Sequence, residues 1–545
     1  MIDDTTAHRR RSPHGDQGVS VVGAASTAFA GAPMVEGGSR RRHTRSDITA
    51  PPMREPRTGS RARQRSTDPL DTEPPNPDSE AERSSGHTGA NVAETAVRPR
   101  IGTTLSIGVG TLISLAPNLL PRTPSAQAIL TALTVTAALA VAGTIRYALH
   151  RSGFDINERY GRYRSPLAFG TACLLASAAT AAGHWQNELR AAMDVPPIGA
   201  GYWLRWAVGA TLLIGGCLAL TRGIARGLRR LGRARTLAIG AALALLIQLY
   251  AGPAFLDGRR AAYADANAAF DPAVAPPNAP DRAGSVESTV RWDSLGAQGR
   301  RFVAQTPPGP TVTYIGLDSA PDLNTRVALA VRELEASGGL ARSNVVITVP
   351  TGSGWIDAAA AEGFTRRFGA DVALVGVQYS YAPSWMTFVF GRERAISTAR
   401  ALFTAVERRI ETLGHRPRLY VYGQSLGALG GSAIFADDTD QDRRTCAVLW
   451  AGPPAGEVHR GGATVLSNSS DPVVRWSPAL LWRAPDLTGT RHDAPAPPWL
   501  PLVSFVQTTA DLLSALDAPR GHGHRYGVDQ GTDLGGCPDP PLPDM

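Results

Sequence analysis

The chain contains no lysine: all 55 basic residues among its 545 are arginine. Together with abundant Ala, Gly and Pro, that absence reads as the codon bias of a GC-rich genome and carries no information on mechanism. Cysteine is scarce as well. The four present, Cys173, Cys217, Cys446 and Cys537, show no CxxC pair and no metal-like spacing, and no metal or organic cofactor is implied. Large apolar residues are almost missing from residues 1–100, which are rich in Arg, Ser, Thr, Pro, Gly and Asp. Such a stretch cannot bury enough surface to offset its ordering entropy, so a disordered, Arg-rich cytoplasmic tail is expected there. No apolar core follows the first few residues, which argues against a cleaved signal peptide. No internal repeats stand out.

Long apolar stretches are present in quantity. Five of them, near 101–121, 126–149, 166–183, 202–220 and 236–256, each approach the roughly 20 residues that a bilayer-spanning helix requires. A soluble core could hardly house five such stretches with almost no internal charge, so residues 101–256 are expected to form a transmembrane domain of about five helices. The first is interrupted near its end by Pro117, Asn118 and Pro121.

The net charge of +8 and the pI near 9.6 raise the question of nucleic acid. The arginines, however, concentrate in the N-terminal tail and in two loops between apolar stretches, which fits membrane topology and not a nucleic-acid footprint. The connection 150–165 carries Arg151, Arg159, Arg162 and Arg164; the connection 221–235 carries Arg222, Arg226, Arg229, Arg230, Arg233 and Arg235. The connection 184–201 has only Arg190, balanced by Glu188 and Asp194. By the positive-inside rule the arginine-rich loops are cytoplasmic, and everything after the last span is extracytoplasmic. Arg259 and Arg260, just past that span, weigh mildly against this orientation. That placement permits a disulfide between Cys446 and Cys537; two unrelated thiols are the alternative.

A Pro, Ala and Asp-rich linker is expected over 257–290, a globular domain over 291–530 and a flexible tail over 531–545. Short runs rich in Val, Ile, Leu or Tyr predict strands at Val312–Leu317, Asn344–Val349, Asp371–Tyr379, Arg418–Tyr422, Cys446–Trp450 and Ala463–Ser467. Helical stretches at Thr325–Ala336, Ala395–Leu413, Ala428–Ala436 and Phe505–Leu516 alternate with them or follow them, which predicts a mostly parallel α/β sheet.

Within that pattern, Leu419-Tyr420-Val421-Tyr422-Gly423-Gln424-Ser425-Leu426-Gly427 has the layout of a nucleophile elbow, a serine on a sharp strand-to-helix turn flanked by glycines. With 57 glycines in the chain, Gly-x-Ser-x-Gly alone is a weak signal, and Ser425 could simply cap a helix. Serine hydrolysis also needs a base, a carboxylate to orient it and donors for the oxyanion. In the α/β-hydrolase order of Ser, acid, His, Asp471 follows a predicted strand in Ser470-Asp471-Pro472, with Asp486 as the substitute acid. His522 and His524 follow in Gly521-His522-Gly523-His524; His524, approached through small residues, is the favoured base and His522 its rival. The backbone amide of Leu426 should supply one oxyanion donor. The glycine loop Pro350-Thr351-Gly352-Ser353-Gly354-Trp355 is the candidate for the other, through Gly352 or Ser353, although a plain glycine turn would look the same. Tyr379, Tyr381, Trp385 and Phe388 either line an apolar acyl pocket or belong to the core.

Several of these stretches together resemble the membrane-anchored α/β-hydrolase family of actinobacteria, in which a multi-span domain precedes a serine-hydrolase domain. They are Ser114-Leu115-Ala116-Pro117-Asn118-Leu119-Leu120-Pro121-Arg122, Tyr314-Ile315-Gly316-Leu317-Asp318-Ser319-Ala320, Thr351-Gly352-Ser353-Gly354-Trp355 and Gln378-Tyr379-Ser380-Tyr381. The elbow, Ser470-Asp471-Pro472-Val473-Val474 and Gly521-His522-Gly523-His524-Arg525-Tyr526-Gly527 complete the set, which spans roughly residues 101–527. The resemblance implies an α/β-hydrolase fold and serine-hydrolase activity but no agreed substrate. One departure is that only about 18 residues, Gly452 to Ser469, separate a strand end from the acid loop. The family pattern leads one to expect a longer connection there.

The expected protein is an integral membrane serine hydrolase, esterase-like or lipase-like, acting on an ester or thioester of a lipid-like acyl group beside the bilayer. A catalytically degenerate envelope-assembly or interaction protein and an acyltransferase using the same triad are the alternatives. Oligomeric state is not legible.

Overall fold

The computed structural model describes residues 100–537 apart from Gly456. The expected tail over residues 1–100 lies outside that range except for Arg100, as does the end of the chain from residue 538.

Among the described residues, four helices are long and apolar enough to cross a membrane: Pro124–Arg151, Gly161–Ala192, Ala200–Leu231 and Ala234–Ala268. Much of their apolar surface, including Leu204, Leu212 and Leu237, faces outward rather than into protein, as bilayer-facing side chains do. The expected first span differs. Its helix is only Ile101–Leu115, 15 residues, or about 22 Å at 1.5 Å per residue, short of the ~30 Å hydrocarbon core. Pro117 is the reason. It forces Ala116 out of the helical region to φ −60°, ψ 152°, and the chain runs on without helix until Pro124 opens the next one.

The helix ends sort into two groups. The backbone amide of Ile101 donates to Asn157 Oδ1 (3.1 Å), so the start of the first helix lies beside the arginine-rich 150–165 connection. At the other end, Arg122 meets Gln186 and Arg190 of the Gly161–Ala192 helix, and Asn267 reaches Gln378 of the C-terminal domain. The arginine-rich connections and the C-terminal domain thus occupy opposite ends of the helices.

The linker expected over 257–290 is not formed as such. The last long helix continues to Ala268, because Ala261 to Ala268 offers good helix formers and no proline. Residues from Arg282 onward already belong to the globular domain: its guanidinium donates to the carbonyls of Val303, Thr306 and Pro307, and Ala283 N bonds Val312 O. Likewise, residues 531–537 are no loose tail. Leu534 is buried, and Cys537 is disulfide-bonded to Cys446 at the start of the fifth strand.

The C-terminal domain is built on a six-stranded sheet, β1 (Thr311–Ile315), β2 (Asn344–Val349), β3 (Val372–Val377), β4 (Arg418–Gln424), β5 (Ala447–Ala451) and β6 (Thr464–Leu466), in the order β1-β3-β2-β4-β5-β6. Every pairing is parallel. β1, β2, β3 and β5 are buried throughout, which explains why their sequences read as continuous apolar runs and not as alternation. Leu323–Ala336, Ala358–Phe368 and Arg392–Glu411 are among the helices that cover the sheet. A parallel sheet gathers its loops at the carboxyl ends of the strands, the usual place for a site in such folds.

Candidate active site

The loops after β2, β4, β5 and β6 converge. β4 ends at Gln424, and Ser425 takes φ 57°, ψ −123°, a left-handed conformation that few non-glycine residues adopt. The helix Leu426–Ser432 starts at once. The turn is so tight that a Cβ on Gly423 would lie 2.3 Å from Gly427 O, and a Cβ on Gly427 would lie 2.3 Å from Val349 O at the end of β2. Both flanking glycines are therefore sterically required, and the elbow read from the sequence is formed. The Ser425 amide is anchored on Ala451 O at the end of β5 (2.9 Å).

Asp471 is fully buried at the start of the short helix Pro472–Arg475. One carboxylate oxygen accepts from Val473 N (2.8 Å); the other contacts His524 Nδ1 (2.7 Å) and accepts from the Tyr526 hydroxyl (2.7 Å). The His524 imidazole packs at the end of β5, where a Cβ on Gly452 would come within 2.6 Å of its Cε1. Its backbone carbonyl accepts from the side chain of Gln424, the residue before Ser425 (3.3 Å). Nε2 of His524 is buried with no hydrogen-bond partner among the described residues, and no bond joins it to Ser425.

The rival histidine faces elsewhere. His522 Nδ1 lies 3.3 Å from Asp493, a carboxylate that also accepts from Ser470 N (2.9 Å), while Ser470 Oγ accepts from Gly523 N (2.8 Å). Asp486, the substitute acid, is exposed and bonded to Thr488. The structure therefore pairs Asp471 with His524 at the β5 end that also anchors the Ser425 amide, and leaves His522 and Asp486 outside that group.

Tyr526 was not singled out from the sequence as a site residue. It is buried, and it accepts from Asn468 N (3.3 Å) while donating to Asp471. Burial, with the neighbouring Asp471 charge, raises its hydroxyl well above the usual phenol range, so it stays a donor. The available signal was its position two residues after His524 in the same glycine-rich motif.

Leu426 opens its helix, so its N–H is among those without an intrahelical acceptor. The Gly352 loop sits beside the elbow, its Pro350 carbonyl packed near Gly427. The loop is closed by Thr351 N to Trp355 O and Gly354 N to Thr351 O (both 2.9 Å). Gly352 N donates to Ser384 Oγ at 3.2 Å, so this expected oxyanion donor already has an acceptor. Ser353 contributes its carbonyl to Gln378 (3.3 Å). Among the aromatics, Tyr379 is core: it is buried and its hydroxyl holds Pro350 O (2.8 Å). Phe388 packs partly against the core, whereas Trp385 is exposed together with Val389 and Phe390 on the helix Ser384–Phe390. Among the described residues no group of His, Cys, Asp and Glu is arranged to hold a metal ion.

A parallel sheet with a strained serine elbow and a buried Asp–His pair at its carboxyl edge defines a hydrolase-fold protein, preceded by helices long and apolar enough to cross a membrane. The sequence matches the Alpha/beta-hydrolase family over residues 312–460 and 459–534, and the Alpha/beta-hydrolase family N-terminus over residues 115–307. The chain belongs to this family. The two pieces of the hydrolase match meet inside the short connection Gly452 to Ser469. No curated protein and no solved structure matches the chain.

Proposed function

We propose that the protein is a membrane-anchored serine hydrolase cleaving an ester or thioester of a lipid-like acyl group. The observation that carries this reading is the Asp471–His524 contact of 2.7 Å, with Nε2 of His524 buried and unpartnered at the same β5 end that anchors Ser425. In the proposed reaction Ser425 Oγ attacks the acyl carbonyl carbon and its proton passes to Nε2. Asp471 holds Nδ1–H and stabilises the imidazolium, and Tyr526 and Val473 N hold Asp471. The oxyanion takes the Leu426 amide, with the Gly352 amide exchanging Ser384 for it as the second donor. His524 then protonates the leaving group, and water activated by the same base releases the acid. An acceptor alcohol in place of water would make the same site an acyltransferase. The apolar exposed face of Trp385, Val389 and Phe390, on the helix that touches the Gly352 loop, supports an acyl substrate.

The test is labelling of the purified full-length protein with a fluorophosphonate. The expected result is a covalent adduct on the wild type that disappears in Ser425→Ala. A folded wild type that takes no label, or a Ser425→Ala variant labelled as strongly, would establish the degenerate alternative instead.

The same reading places the catalytic domain outside the plasma membrane. Two features support it: the arginine-rich connections lie at the helix ends away from the domain, and Cys446–Cys537 is a disulfide, a bond that persists in oxidising compartments. A reporter active only in the cytoplasm, fused after residue 545, is expected to be silent; an active one overturns the orientation.

A further inference from the structure

Between the turn 116–123 and the C-terminal domain lies a cavity of about 160 Å³, outside the Ser425 group. Its walls are largely apolar, with Leu119, Leu480, Leu487, Pro497 and Trp499 among them, and one cation lines it, Arg475. Arg475 ends the short helix that begins at Asp471, one turn away, and only 5% of its surface is exposed. Its guanidinium donates no hydrogen bond to any described residue, and its Nε is buried without an acceptor.

This is an unusual state for an arginine. Burial depresses its pKa to about 10, opposed by the charges of Asp493 and Asp511. Neither carboxylate is free to pair with it. Asp511 is committed to Arg122 and to Leu119 N, and Asp493 to Ser470, with His522 beside it. A buried charge left unpaired is a strong liability unless something else satisfies it. The planar five-donor fork of a guanidinium matches an oxyanion, and the surrounding walls match a short hydrocarbon. A cavity of about 150 Å³ accommodates a benzene-sized body, so there is room for a short hydrocarbon chain.

We infer that this cavity binds an oxyanion attached to a short apolar body, the carboxylate or phosphate end of an amphiphile, with Arg475 as its counter-charge. The site does not depend on hydrolysis at Ser425. It would be reached from the layer where the membrane turn meets the domain, and it adds a second recognition point one helical turn from Asp471.

The test uses the full-length protein in neutral detergent, with labelled hexanoate in equilibrium dialysis, hexanol and inorganic phosphate as competitors, and thermal unfolding of each variant. The wild type is expected to bind hexanoate, with hexanol and phosphate competing poorly. Arg475→Met is expected to bind about tenfold more weakly or worse, because the charge-assisted bonds are gone. Its midpoint without ligand should be no lower than that of the wild type, since an unpaired buried charge has been removed. Absence of hexanoate binding, or undiminished binding by Arg475→Met, overturns the inference. A large fall in the unliganded midpoint of Arg475→Met overturns it too, because the arginine would then be structural. Phosphate competing as well as hexanoate would identify a free-anion site and overturn the amphiphile assignment.

Discussion

Replacing His524 with alanine is expected to abolish ester hydrolysis, whereas replacing His522 should leave most of it. The two histidines are separated by a single glycine, yet it is His524 that contacts buried Asp471, at 2.7 Å, with its Nε2 unpartnered among the described residues. His522 faces Asp493. Loss of the triad histidine costs on the order of a million-fold in kcat in a well-measured serine protease. Asp471→Asn, which keeps the shape but spoils the tautomer, should cost on the order of ten-thousand-fold. Hydrolysis of a soluble activated ester by folded variants checks both. If His522→Ala lost as much activity as His524→Ala, the assignment of the base would be wrong.

The second large effect concerns the joint between the two domains. Arg122 follows the proline turn after the first helix, and its Nη2 lies 2.7 Å from Asp511 at the end of the helix Val503–Asp511. Nη1 reaches Gln507 Oε1 at 2.5 Å, and Asp511 also accepts from Leu119 N at 2.8 Å. Gln507 in turn donates to Ile113 O at 2.5 Å. Both charged groups are buried, with side-chain exposures of 4% and 0%. Removing one partner strands the other, so Arg122→Met and Asp511→Asn should each destabilise the full-length protein by about 3–5 kcal/mol. The double variant Arg122→Met/Asp511→Leu should recover part of that loss. Thermal unfolding of the singles and the double, read as a double-mutant cycle, checks this. Singles that each cost less than about 1 kcal/mol, as exposed pairs do, would show that the clasp does not hold the domains together.

The Ser114–Arg122 motif shows where sequence reading stopped. Its resemblance to family members is legible, but its sequence alone places it at the end of a span. Pro117 and Pro121 instead turn it out of the helix, and it becomes the plate on which the C-terminal domain sits. Arg122 and Asp511 are 389 residues apart, and neither carries a local pattern that names the other. Arg475 looks like any arginine near a helix end until the cavity around it is seen. The link from Gly352 to Ser384 is equally invisible, because it depends on how two loops after neighbouring strands pack.

The strands, the parallel class, the elbow and the order of serine, acid and histidine followed from the sequence alone, because each is written locally. Buried parallel strands read as apolar runs, the elbow demands glycine at two positions where a Cβ would collide, and an apolar stretch has a length to compare with a bilayer. Tertiary structure alone decided which histidine meets the acid, what Tyr526 supports, that the first helix stops short, and that the turn after that helix and a distant helix share one buried ion pair. Those outcomes depend on distances between segments far apart in the chain, and burial alone determines whether a charge must find a partner there.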